Sequence, residues 1–186
     1  MNTRNILPDH LGNDARLVIV GCNPSPTAAR TGIYYSGPRN QFWALLRDSG
    51  LLPLQVADLR NAALLPAHGI GITDLVKGRA TACSSEVRAH EFKAGAALLS
   101  QKLAALGSVR VVVFNGKVVY EKFSGKRCEY GVQREKMSGA TVIVAPSSST
   151  RAGRQSYRAK LSHWKIAASL VQSNGEAQAA TLQVSR

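Results

Sequence analysis

Short, uninterrupted apolar runs alternate with helical apolar stripes along this chain. The first run lies within Arg16 to Cys22: Leu17, Val18, Ile19 and Val20 stand without a polar break and lead into Gly21-Cys22-Asn23-Pro24. A continuous apolar run bounded by turn residues predicts a strand covered on both faces. Three more follow. Gly69 to Thr73 has Asp74 at its carboxyl end, Val109 to Phe114 is β-branched and almost wholly apolar, and Thr141 to Ala145 runs into Pro146.

Helical spacing fills the intervals. Phe42, Leu45 and Leu46 share a face, with Pro38 suited to the first turn and Gly50 to the stop. Val56 to Leu65 predicts a short helix ended by Pro66. Ser84 to Leu106 predicts a long one, with Ser85 as N-cap and Leu99, Leu103 and Leu106 on one face. Lys117 to Phe123 follows the turn Asn115-Gly116. A last helix, Gln155 to Gln172, carries the stripe Tyr157, Leu161, Trp164, Ala168 and Val171, with Arg158, Lys160 and Lys165 turned outward. Met1 to Asp14 is expected to be a loose lead-in, Ser124 to Gly139 a loop or edge strand, and residues 173–186 a disordered tail. Strands alternating with helices predict an α/β fold with a mostly parallel four-stranded sheet in one domain, residues 1–172. Its four strand-end loops then share one edge, where open α/β sheets place their ligands.

Charge narrows the partner. Twenty-four Lys and Arg face eleven Asp and Glu, a net charge of +13 on 186 residues. The basic residues gather in Lys117 to Lys136 and Arg151 to Lys165, so a polyanion, nucleic acid first, is the expected partner. No apolar run approaches membrane-spanning length and Met1 to Pro8 lacks a secretory signal's apolar stretch, so no membrane partner is expected. Three scattered cysteines, Cys22, Cys83 and Cys128, form neither a disulfide framework nor a metal-ligand pattern, and place the chain in a reducing cytoplasm. The strand-end loops hold the candidate chemistry. Asn23 reads as a turn residue or as a ligand-facing amide. Ser147, Ser148 and Ser149 offer a nucleophile for a small-substrate hydrolase, but no Gly-x-Ser-x-Gly elbow or ordered Ser–Asp–His set accompanies them.

Three segments in order resemble the mismatch-specific uracil-DNA glycosylase and thymine-DNA glycosylase branch of the uracil-DNA glycosylase superfamily. Gly21-Cys22-Asn23-Pro24, with Thr31 to Tyr35 and Pro38 to Trp43, is similar to that family's Gly-x-Asn-Pro-Gly loop and to its Asn-x-Phe-Trp helix start. Gly71 to Val76 resembles the strand end that helps read the base, and Pro146 to Arg151 the loop that enters DNA. The resemblance implies a three-layer α/β/α sandwich without metal or organic cofactor. The activity it implies is hydrolysis of the N-glycosidic bond of uracil or another damaged pyrimidine in double-stranded DNA, often opposite guanine. It implies that Asn23 positions the water and that Tyr35 stacks on the flipped base. Cys22, Pro24, Ser25 and Asn40 would complete the base pocket. Arg151 would enter the duplex, with Ser147, Ser148, Ser149, Thr150 and Lys117 on the DNA. The expected enzyme is a monomer in the cytoplasm, at the nucleoid. The alternative is a non-catalytic DNA-binding module on the same fold.

Three departures stand out. Ser25 replaces the family's usual glycine and either narrows the pocket mouth or adds a hydrogen bond. Ser149 stands where many relatives carry an apolar wedge. Asp74 stands where the family commonly has an amide or a lysine. Its carboxyl caps a helix, reads the base, or assists the water or the cationic sugar.

Overall fold

The computed structural model describes residues 6–151 and 155–184, those from Asn174 on by backbone alone. Its strands are β1 (Leu17–Gly21), β2 (Ile70–Asp74), β3 (Val111–Asn115), β4 (Gly131–Met137) and β5 (Ala140–Ala145). They form one sheet in the order β2-β1-β3-β5-β4. All neighbours are parallel except β4 and β5. The helices are α1 (Pro26–Thr31), α2 (Phe42–Asp48), α3 (Leu54–Leu59), α4 (Ala89–Leu106), α5 (Lys117–Ser124) and α6 (Tyr157–Val184).

Strand side chains alternate between the two faces, and each face has its own core. Leu17, Ile19, Ile72, Val111, Val113 and Ile143 pack with Phe42, Leu45 and Leu46 of α2 and Trp164 of α6. Val18, Val20, Val112, Phe114, Val142 and Val144 pack with Leu99 and Leu103 of α4 and Val119 of α5. This is the expected three-layer sandwich, and both faces are covered, as the unbroken apolar runs require.

The sheet has five strands where four are expected. The fifth, β4, comes from the stretch between loop and edge strand in the sequence reading. Its Arg134, Glu135 and Lys136 are exposed, so it shows no buried alternation, and charge on an edge strand discourages further pairing. Local differences have similar causes. Pro38 precedes α2 by a turn rather than opening it. The loop after Asn23 contains α1. Ala62–His68 is a 3-10 helix that accommodates Pro66, separate from α3. Ser84–Glu86 is a 3-10 turn ahead of α4, so Ser85 does not cap the long helix. The final helix continues past Gln172 to Val184, through an Ala- and Gln-rich run of high helix propensity. Residues 1–5 of the predicted lead-in and 185–186 of the predicted tail lie outside the described residues.

The rest of the lead-in is firmly held. Leu7 is buried, His10 bridges to Ile72 of β2, and Ile6 N donates to Lys77 O at 3.1 Å. Asp9 pairs with the buried Lys77 at 2.7 Å and with Lys102, and accepts from Thr73 Oγ1 at 2.6 Å. Lys77 also donates to the Tyr34 hydroxyl at 2.7 Å. Burial alone would raise the pKa of Asp9, but hydrogen bonds from Lys102, Lys77 and Thr73 lower it.

Asp9→Asn leaves the Lys77 ammonium buried without a carboxylate. A loss of about 3 kcal/mol is expected, read as a lower urea midpoint at unchanged slope. Because the folded pKa of Asp9 is lowered, its contribution is full above the ordinary carboxylate pKa. It is lost as pH falls through the folded value, so the gap between native protein and variant closes in acid.

Candidate active site

The carboxyl ends of β1, β2 and β3 deliver Gly21, Asp74 and Asn115 to one edge of the sheet. Beyond β1 and β2 the two chains run side by side. Leu75 N donates to Gly21 O and Val76 N to Cys22 O, both at 2.8 Å, and Thr81 N donates to Pro24 O at 3.1 Å. Asn23 is half-buried in this ribbon. Its Nδ2 donates to Thr81 Oγ1 at 2.8 Å and to Pro24 O at 3.0 Å. These bonds fix the amide plane and its tautomer-free polarity, nitrogen toward Thr81. Ser25 adds a hydrogen bond: it caps α1, its Oγ accepting from Ala28 N at 3.1 Å. Asn40 stands one residue ahead of the α2 cap position, Gln41, and its Oδ1 accepts from Phe42 N at 3.0 Å.

Asp74 lies opposite Gly21 in the parallel register and is 5 % exposed. A Cβ on Gly21 would stand 2.1 Å from Asp74 Oδ1 and 2.6 Å from the Tyr35 hydroxyl, so only glycine lets the two side chains close over β1. From the other side, Gly95 of α4 admits the Leu75 carbonyl, which would be 2.0 Å from a Cβ there. No helix starts after Asp74, because Leu75 and Val76 are tied to the β1 extension; the helix-cap reading of this carboxyl falls. Asp74 Oδ2 and the Tyr35 hydroxyl are buried without a hydrogen-bond partner among the described residues. Burial pushes the Asp74 pKa up to about 7, against the pull of Lys77 and with the push of Asp9. Burial, then the Asp74 charge, raises the Tyr35 hydroxyl, and the same two causes push the Cys22 thiol up to about 12. Among the described residues no group of three His, Cys, Asp or Glu is placed to hold a metal ion.

The loop after β5 stands beside this cluster. Ser148 is buried and does not face a DNA surface. Its N–H donates to Asn115 Oδ1 and its hydroxyl accepts from Asn115 Nδ2, both at 2.8 Å, while Gln41 N donates to its carbonyl at 3.0 Å. Its hydroxyl partner is an amide, not a histidine, which removes the support for a serine nucleophile. Lys160 of α6, expected to point outward, is buried. Its Nζ donates to Ser149 O at 3.2 Å and to Gln41 Oε1 at 3.0 Å, and burial lowers its pKa. Thr150 and Arg151 remain exposed at the tip, Arg151 N donating to Ser149 Oγ at 3.3 Å. Ser147 supports the same turn, accepting from Ser149 N at 3.3 Å. Lys117, at the start of α5, pairs with the exposed Glu129 at 2.7 Å and lies over the Tyr130 ring. Sequence reading missed Asn115 and Lys160. A turn signal at Asn115-Gly116 and the outer position of Lys160 on its helix hid them.

The chain matches the family model of the Uracil DNA glycosylase superfamily over residues 8–169. It is 32 % identical over 179 residues to the G/U mismatch-specific uracil DNA glycosylase of Schizosaccharomyces pombe, covering 91 % of this chain. The chain spans about half of that relative, 55 % of its length. It also resembles the solution NMR structure of a Methanosarcina acetivorans protein provisionally described as a uracil DNA glycosylase. That match has a TM-score of 0.60 and 25 % identity, and it covers 88 % of this chain and 94 % of the other.

Ser148→Ala keeps the backbone bond to Asn115 Oδ1 but removes the acceptor of the buried Asn115 Nδ2, and is expected to cost about 2 kcal/mol in a urea melt. Ser149→Ala, at a half-buried position whose hydroxyl accepts only the long 3.3 Å bond from Arg151 N, is expected to stay within about 0.5 kcal/mol of the native protein.

Proposed function

The chain belongs to the uracil DNA glycosylase superfamily, and we propose that it is a monofunctional glycosylase that removes uracil, preferentially from G·U mismatches in double-stranded DNA. The observation that carries this reading is the placement of Asn23 and Asp74 on neighbouring strand ends, where β1 and β2 run out together at the carboxyl edge. A net charge of +13 supports a DNA partner. The exposed Arg151 on a rigidly based loop supports entry into the duplex.

A uracil paired with guanine leaves the stack at less cost than a well-paired base, and only outside the duplex is its glycosidic carbon open to water. Arg151 fills the gap. Breaking the C1′–N1 bond sends its electron pair into the base, which departs as an anion, and leaves cationic character on the sugar. The fixed Asn23 amide orients the attacking water, whose oxygen bonds to C1′. Ionised Asp74 stabilises the cationic sugar and takes the water's proton. The uracil anion then takes up a proton from solvent, and the products are free uracil and an abasic site. No lysine lies at the motif positions, so no Schiff base and no strand cleavage follow. The enzyme works as a monomer in base excision repair, in the cytoplasm at the nucleoid. Among the described residues no helix is long and apolar enough to cross a membrane.

Single-turnover assays on G·U, A·U, G·T and G·C duplexes test this. Uracil release is expected fastest from G·U. Asn23→Ala is expected to slow it by about 100-fold or more, and Asp74→Asn by about 10-fold or more. Binding of the G·U duplex without release of any base would instead support the non-catalytic DNA-binding module.

A further inference from the structure

Tyr35 has a ring that the resemblance assigns to stacking under the base. The structure gives its hydroxyl a place of its own. The residue has φ of +55°, in the left-handed region where a bulky side chain stands only when its surroundings hold it. One ring face lies on Phe42, centroids 3.9 Å apart and planes 23° from parallel. The hydroxyl ends 2.6 Å from the point a Gly21 Cβ would occupy, and Asp74 Oδ1 ends 2.1 Å from the same point. The hydroxyl and the other Asp74 oxygen, Oδ2, are buried with no hydrogen-bond partner among the described residues. Asn115 lies near the hydroxyl and works against the rise in its pKa, but both its amide atoms are taken by Ser148. Buried polar atoms without partners are rare in native proteins, and here one belongs to each of two side chains, the Tyr35 hydroxyl and the Asp74 carboxyl, that meet over one glycine, a place for a small polar guest.

We propose that the Tyr35 hydroxyl and the Asp74 carboxyl are two walls of one seat for the attacking water, so that Tyr35 acts in the hydrolysis through its oxygen rather than only through its ring. This rests on the reading of Asp74 as a participant in glycosidic hydrolysis. The water accepts a hydrogen bond from the Tyr35 hydroxyl and donates one proton toward Asp74 Oδ2. Its remaining lone pair attacks C1′, the C1′–N1 electron pair leaves with the base, and the water's proton passes to the Asp74 carboxylate. The charged and titratable groups facing Asp74 are Lys77 just beyond its strand, Asp9 on the N-terminal segment, Cys22 beyond β1, and Tyr34 with Tyr35 ahead of α2.

Tyr35→Phe removes the oxygen and keeps the ring on Phe42. A donor that supports the ionised carboxylate holds its pKa down, so its removal raises the Asp74 midpoint. The shift is expected to be about half a unit or more in a ¹³C carboxyl titration of the free protein. Uracil release from a G·U duplex is expected to fall about 10-fold or more, while the same change in an Asp74→Asn background alters the rate by less than about 2-fold. An unmoved midpoint overturns the seat, whatever the rate. A moved midpoint with a Tyr35→Phe rate within about 2-fold of native overturns its part in hydrolysis. The titration needs no turnover: if the native protein releases no uracil, the glycosylase reading fails while the midpoint still decides whether the two oxygens share a guest.

Discussion

A carboxyl group buried at the end of a parallel strand resists ionisation, and the layout around Asp74 follows from that resistance. The strand before it must be glycine at Gly21, because two oxygens close over that position. Lys77, the cation able to pull the carboxyl down to ordinary acidity, is instead paired with Asp9. Asp9 arrives on the N-terminal segment, which therefore belongs to the site's electrostatics and is pinned to β2 by His10 and Ile6. The outcome is a carboxyl poised near neutrality, the range in which a single group can be present in both protonation states under physiological conditions.

The second side of the edge has a different problem: a loop must reach outward without losing its position. Its base is held by three separate elements. Asn115 grips Ser148 from β3, Gln41 holds the Ser148 carbonyl from the start of α2, and Lys160 holds the Ser149 carbonyl from α6. The tip, Thr150 and Arg151, stays exposed beyond these anchors. A rigid base under an exposed arginine limits the conformations to be lost when that side chain binds a partner.

The fold was largely legible because burial on both faces of a parallel sheet leaves a strong local mark. The run Val111 to Phe114 and the stripe ending in Trp164 announce themselves without knowledge of their partners. The strand β4 was legible only as one of two alternatives, loop or edge strand, because an exposed edge strand carries charge where a buried one carries valine. In the site, Asn23 and Asp74 stood out as polar residues at the ends of apolar runs. What Asp74 is not, a helix cap, needed the hydrogen bonds that tie Leu75 and Val76 to the β1 extension. Lys160 and Ser148 were misplaced for the same reason: a lysine on the outer side of a stripe and a serine in a polar loop read as solvent-facing. Only the approach of α6 and β3, distant in sequence, buries them. Asp9 was read as part of a loose lead-in because the two lysines that hold it lie far along the chain.

The most direct test of the central claim, that a buried and nearly neutral Asp74 works as a carboxylate in uracil removal, is the pH dependence of single-turnover release from a G·U duplex. In the native protein the rate is predicted to rise with pH and level off, with a midpoint of about 7. In Asp74→Asn the rate is predicted to be low and flat over the same range. A native profile with no rise through neutrality, or an Asp74→Asn profile that keeps the native midpoint, would contradict the account.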